Sequence, residues 1–358
     1  MRVSYGGHPK PVVDPDGSRE GWIKTPDGAF VVGEPQGSPS WFPCNDHPSD
    51  KAGYLFRITT PKGLHAVANG RLLSVRRTGA VRTWTWTQAL PMATYLTTVN
   101  IGRGPVQSGR AGGVPYWTTV DPREARESRP VLRKLGSVMT FLAQRFGPYP
   151  FDSTGAIVDR AGVGYALETQ TRPIYDGAPD INILVHETAH QWYGNSVTLR
   201  TWPQIWLNEG FATWAEWLWS EHHGQKSAAM IFRELLAVPA SEHALWDPPP
   251  GNPGEAANLF HESIYLRGAM TLQALRERVG DPAFFSILRR WATENRYGSG
   301  TIPEFIALAE SRSGRKLDRL FRVWLYQPGK PRWGMGGRMI QSDADKHSYL
   351  SSASRAQR

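Results

Sequence analysis

His186, Glu187 and His190 form a His-Glu-x-x-His pentapeptide, and eighteen residues separate His190 from Glu209. On a helix, residues four apart lie on one face, so both imidazoles can reach one ion at about 2.0 to 2.1 Å. Glu187 then stands beside the ion, placed to take a proton from a water that the metal activates. A carboxylate from Glu209 brings the set to three protein ligands and one open position, the catalytic rather than the closed structural zinc pattern. Taken alone the pentapeptide is short, and two satisfied histidines in a core or on a surface would read the same.

The flanking residues supply the elements such a site needs. Pro179-Asp180 offers an N-cap, Ile181, Leu184, Val185 and Ala189 an apolar face, and Gly194 a stop, so the spacing predicts a helix through both histidines. From Trp206 to Trp219 apolar residues recur at helical spacing until Gly224, which puts Glu209 on a second helix. Trp192, Trp202, Trp206, Trp214, Trp217 and Trp219 cluster here and read as core.

Four ordered segments resemble the gluzincin aminopeptidases, peptidase family M1. They are the His186–His190 motif followed by Trp206-Leu207-Asn208-Glu209-Gly210-Phe211-Ala212, Tyr165-Ala166-Leu167-Glu168-Thr169 upstream, Tyr265-Leu266-Arg267-Gly268-Ala269-Met270 downstream, and Glu34-Pro35 leading to Trp41-Phe42-Pro43. The second is similar to the family's Gly-Ala-Met-Glu-Asn exopeptidase motif, and the third to the segment that carries a transition-state tyrosine. The resemblance implies a zinc aminopeptidase acting on peptides with a free N-terminus. His186, His190 and Glu209 would hold one Zn2+ per chain, Glu187 would be the base and Tyr265 the hydrogen-bond donor to the oxyanion. Glu168, with Glu34 as a second candidate, would anchor the substrate's α-ammonium. Pairing an ammonium at one fixed distance from the metal is how an exopeptidase counts from the chain end. Tyr265 among Leu259, Ile264 and Leu266 also suits a core, and Glu34 an exposed turn. Thr169 and Tyr165 replace the family's usual asparagine and glycine, and Val32 a glutamine, changes that bear on specificity. Two other readings share these residues: a leukotriene-type epoxide hydrolase, and an impaired fragment that binds peptides.

At 358 residues the chain is long enough for two cores. Its net charge of +9 is spread over places such as Arg76-Arg77 and Arg289-Arg290 with acids nearby, which argues against nucleic acid as a partner. The lone Cys44 excludes an internal disulfide and a cysteine-cluster metal site. No apolar run is long enough to span a bilayer, and the first residues are polar. The chain as written therefore reads as cytoplasmic, or secreted if an upstream signal exists.

The expected fold class is α+β: a partial N-terminal β-sandwich or saddle domain over residues 1–104, then a mainly helical thermolysin-like domain over 105–328, with 329–358 a disordered tail. Strands are expected at Tyr54–Thr60, Thr83–Thr87 and Ala93–Ile101, with a hairpin turned by Asn69-Gly70 and a Gly/Pro linker from Gly104 to Pro115. A short strand near Ala156–Asp159 would floor the cleft. Helix starts are expected after Pro130, Asp180 and Asp281-Pro282, and at the capping box Thr301-Ile302-Pro303-Glu304. By resemblance the β domain begins partway through, and a sheet cut there would expose an unpaired edge and an apolar face.

Overall fold

The computed structural model describes residues 1–334 and 338–339. Eight strands come first: β1 (Val12–Val13), β2 (Arg19–Lys24), β3 (Ala29–Val32), β4 (Lys51–Pro61), β5 (His65–Ala68), β6 (Arg71–Thr78), β7 (Val81–Ala93) and β8 (Val99–Gly102). They build two antiparallel sheets, one in the order β1-β2-β3-β8-β5 and one in the order β4-β7-β6. A core of Ile23, Phe30, Val67, Trp84 and Trp86 joins them. Leu55, Leu73, Val75 and Val81 of the three-stranded sheet are exposed.

Two of the expected β features fall differently. Asn69-Gly70 turns no hairpin, because β5 and β6 belong to different sheets; the hairpin is β6–β7, where Thr78 pairs with Val81. A local Asn-Gly signal says that the chain turns, but the tertiary context decides what pairs with what. Between Ala93 and Ile101 the strand is interrupted by a 3-10 turn at Thr94–Leu96.

The segment expected as a linker is itself a hairpin, β9 (Val106–Ala111) and β10 (Val114–Val120), turned at Gly112-Gly113. With β11 (Thr154–Asp159), β12 (Ala166–Leu167) and β13 (Ile174–Asp176) it forms a mixed sheet in the order β12-β13-β11-β10-β9. The strand expected near Ala156 is thus β11, fully buried along its length.

Ten α-helices follow among the described residues: α1 (Ala125–Leu132), α2 (Leu135–Phe146), α3 (Ile181–Ala189), α4 (Trp206–His222), α5 (Ala228–Ala237), α6 (His243–Trp246), α7 (Glu262–Val279), α8 (Asp281–Glu294), α9 (Ile302–Ser313) and α10 (Asp318–Phe321). Pro130 starts no helix; it sits inside α1, and α2 follows. The capping box of α9 is formed, with Thr301 N donating to Glu304 Oε2 at 2.8 Å. Around α4 packs a core that includes Trp192, Trp206, Trp214, Trp217 and Trp219. The architecture is α+β, a β-rich part followed by a mainly helical one.

Two buried arginines tie distant segments together. Arg172, fully buried, donates to Ala68 O and Gly70 O of the β part and to Thr154 O at the start of β11. Arg267 on α7 donates to Trp246 O, Val323 O, Trp324 O and Gly329 O, so the first residue of the expected tail is held to the body. Most of that tail, residues 335–337 and 340–358, lies outside the described residues. No helix among the described residues is long and apolar enough to cross a membrane.

Candidate active site

Asp180 starts α3 as expected, its Oδ1 accepting from Ile183 N at 2.9 Å. The helix ends sooner than Gly194, however: Ala189 is its last residue and His190 its C-cap. The chain then widens into a turn in which Asn195 N reaches back to His190 O at 3.0 Å and Val197 N to Trp192 O at 3.1 Å. His190 keeps its place one turn after His186, with its amide donating to His186 O.

Glu209 enters from the first turn of α4. Its Oε2 lies 3.2 Å from His186 Nε2 and 3.3 Å from His190 Nε2. Ligands bonded at about 2.0 to 2.1 Å in a tetrahedron are roughly 3.3 Å apart, so the three atoms already have the spacing of a zinc site with one open corner. The far ring nitrogens agree. Tyr193 O can only accept, so His190 Nδ1, 3.0 Å away, donates to it, which leaves Nε2 as the nitrogen that a metal would take. Glu216 Oε1 fixes His186 in the same way at 2.7 Å from Nδ1. Burial acts to raise the Glu209 pKa, but the two imidazoles outweigh it and hold the carboxylate down at about 2. This donor set suits a divalent ion.

Glu187, the residue after the first histidine, is buried, and its Oε2 has no hydrogen-bond partner. Burial pushes it up to about 8; the histidines oppose that shift, while Glu168 and Glu209 add to it. Glu168 follows β12 on a loop pinned from both sides. Its carbonyl accepts from Asn195 Nδ2 at 2.6 Å and from Gln191 Nε2 at 3.2 Å. Two residues on, Gln170 O accepts from the buried Asn69 Nδ2 at 2.8 Å, and Thr171 Oγ1 accepts from Gly70 N at 2.8 Å. Glu168 Oε1, like Glu34 Oε1, is buried; it lies 3.8 Å from His190 Nδ1, and the Glu34 and Glu168 carboxyls share a hydrogen bond. Carboxylate oxygens of Glu34, Glu168 and Glu209 lie within 4.8 Å of one another. Burial first, then the neighbouring carboxylates, raises the Glu34 pKa.

Tyr265 approaches from α7, its ring centroid 6.1 Å from that of His186. Burial, and after it the charge of Glu209, raises its pKa well above the ordinary value, which keeps the phenol a donor. The helices that carry Glu209 and Tyr265 touch main chain to main chain: a Cβ added at Gly210 would stand 2.9 Å from the Gly268 carbonyl carbon. All seven residues singled out from the sequence line one cleft of about 680 Å3.

Sequence reasoning gave no role to Glu216, Tyr95 or Asn208. Glu216 is seven residues after Glu209, two turns along the same face, and that spacing was a usable signal. Tyr95 OH donates to Gly194 O at 3.2 Å and lies 3.4 Å from Asn208 Nδ2, contacts made across the fold with no local trace.

Residues 166–324 match the family described as Peptidase family M1 domain, and residues 29–96 match the Peptidase M1 N-terminal domain. The chain belongs to peptidase family M1. It is 24% identical over 319 residues to the probable aminopeptidase 2 of Sulfurisphaera tokodaii, a match covering 81% of this chain and 40% of that protein. To the glutamyl aminopeptidase of Bos taurus it is 26% identical over 332 residues, covering 83% of this chain and 34% of the other. The chain thus spans well under half the length of these relatives. Among solved structures, the M1 zinc metallopeptidase from Deinococcus radiodurans superposes with a TM-score of 0.80 at 28% identity, over 92% of this chain and 75% of that one. That neighbour implies zinc as the metal, which the ligand spacing fits.

Proposed function

We propose that the chain is an aminopeptidase that hydrolyses the first peptide bond of peptides with a free N-terminus, using one zinc ion held by His186, His190 and Glu209. The observation that carries this reading is the placement of two buried carboxyl groups, Glu168 and Glu34, paired with each other and within 4.8 Å of the ligand Glu209. Two acceptors so near the metal leave room for an α-ammonium but not for a continuing chain. The reading takes residues 1–104 as the part that supplies Glu34, and 105–328 as the part that holds the metal.

Zinc, when bound, would polarise the substrate carbonyl and lower the pKa of the attacking water. Glu187 takes the proton from that water as its oxygen adds to the carbonyl carbon. It then returns the proton to the departing amine as the C–N bond breaks. Burial supports this role, because a base poised near neutrality both accepts and releases a proton. Tyr265 donates a hydrogen bond to the carbonyl oxygen as negative charge gathers there, which favours the transition state over the substrate.

The test is hydrolysis of a panel of fluorogenic aminoacyl amides by the metal-loaded protein, with chelator and with N-acetylated controls. Cleavage that needs both metal and a free amine is the expected result. Equal cleavage of acetylated substrates would remove the ammonium anchor and with it the exopeptidase reading.

A further inference from the structure

Beside the metal cleft is a second cavity of about 460 Å3, formed where residues 14–16, 35–36 and 46 of the β part meet Trp202 and the stretch from Pro253 to Phe260. Asp16 and Phe260 line both spaces, so the second adjoins the first as an annex. Pro35 and Gln36 form part of its wall, directly after the ammonium anchor Glu34.

The ionisable lining of the annex is entirely acidic: Asp14, Asp16, Asp46 and Glu255. Among the described residues that line the cleft and the annex there is no lysine or arginine, although the whole chain carries +9. The negative field is therefore local and set against the charge of the molecule. Asp14 is only 6% exposed; its Oδ1 accepts from Gln36 Nε2 at 2.6 Å, and its carboxyl also shares a hydrogen bond with that of Glu20. Burial first and then Asp14 push Glu20 up to about 9, so near pH 7 Glu20 keeps its proton and adds no charge of its own. Carboxylates gathered around one cavity whose lining holds no basic residue repel one another, and a cation entering the cavity relieves that repulsion. Trp202, whose ring packs against Tyr95 at a centroid separation of 5.0 Å, lines the same wall.

Resting on the aminopeptidase reading, we propose that the annex receives the side chain of the substrate's N-terminal residue and selects a long cationic one, arginine or lysine. With the α-ammonium at Glu34 and Glu168, the side chain leaves beside Pro35 and Gln36. An acidic side chain there would meet four like charges, and a short apolar one would leave the annex unfilled.

The experiment compares kcat/KM for arginyl, citrullyl, norleucyl and glutamyl amides on the zinc-loaded full chain, citrulline being the neutral isostere of arginine. The expected preference for arginine over citrulline is at least roughly tenfold, which corresponds to about 1.4 kcal/mol. The double variant Asp16→Asn, Glu255→Gln, at two exposed positions, should bring that ratio severalfold closer to one. Arginyl and citrullyl amides cut equally well would overturn the annex while leaving the aminopeptidase standing. If no amide is cut, the aminopeptidase reading fails, and calorimetric binding of free L-arginine against L-citrulline decides the annex separately: selective binding of arginine upholds a cation subsite, and equal or absent binding refutes it.

Discussion

Replacing Glu216 tests whether the metal site depends on groups that never touch the ion. Glu216 Oε1 is 2.7 Å from His186 Nδ1, a short contact between a carboxylate and a ring N–H, and it orients the imidazole so that Nε2 points to the shared centre. Losing such a partner costs roughly 10- to 100-fold in metal affinity. The Glu216 side chain is 22% exposed, so water can take over part of the bond in Glu216→Ala, which places the loss near the low end, about tenfold or about 1.4 kcal/mol. Glu216→Gln keeps an acceptor oxygen and should lose less. Competition against a chromophoric chelator gives the zinc affinity of each variant, and far-ultraviolet circular dichroism confirms that the helices persist. A folded Glu216→Ala protein that binds zinc within twofold of the parent would refute the argument that this carboxylate holds His186 in its ligating pose.

Three other outcomes follow from groups at different depths in the fold. Glu187→Gln should retain zinc at the parental stoichiometry yet lower turnover by roughly 10²- to 10⁴-fold, the usual share of a general base; near-parental rates would dismiss Glu187 from that role. Asn69→Ala removes a buried side chain that donates to Leu96 O and Gln170 O and accepts from Thr98 N, and urea unfolding should report a loss of about 3 kcal/mol, whereas a change within measurement error would mean water replaces all three bonds. Glu20, raised from 4.5 to about 9, binds its proton more tightly in the folded chain than in the unfolded one, so its contribution is whole below about pH 4.5 and is lost as pH rises to about 9. Glu20→Gln should gain stability over the parent progressively across that window, and parallel stability curves would count against the shift.

Much of the site could be read from the chain because its chemistry is local. His186 and His190 need only one helical turn to meet, and Asp180 starts that turn as its type suggests. Glu209 was legible because its own helix carries an unbroken apolar pattern from Trp206 to Trp219. The β part was harder. Asn69-Gly70 has the composition of a hairpin turn, yet Asn69 spends its side chain on Leu96, Thr98 and Gln170, partners 27 to 101 residues away. The glycines and prolines between Gly104 and Pro115 suggested a linker, but β10 pairs with β11, which no local pattern announces. Arg172 gave no sign of being buried, because its acceptors are main-chain oxygens gathered from two separate segments, at Ala68 and Gly70 and at Thr154.

The glycine contact between α4 and α7 bears on how this protein can change. Gly210 follows Glu209 directly, and Gly268 stands three residues after Tyr265, with the two main chains already in contact. The gap between the ligand and the phenol is therefore measured by backbone against backbone, with no side chain between them to be exchanged for a longer or shorter one. Substitutions elsewhere in the helical core can accumulate without retuning that gap, whereas any residue larger than glycine at either position shifts both functional groups at once. The walls contributed by loops, at Tyr165, Asp16 and Glu255, carry no such constraint. Descendants of this chain are accordingly free to drift in which peptides they accept long before they drift in how they cut them.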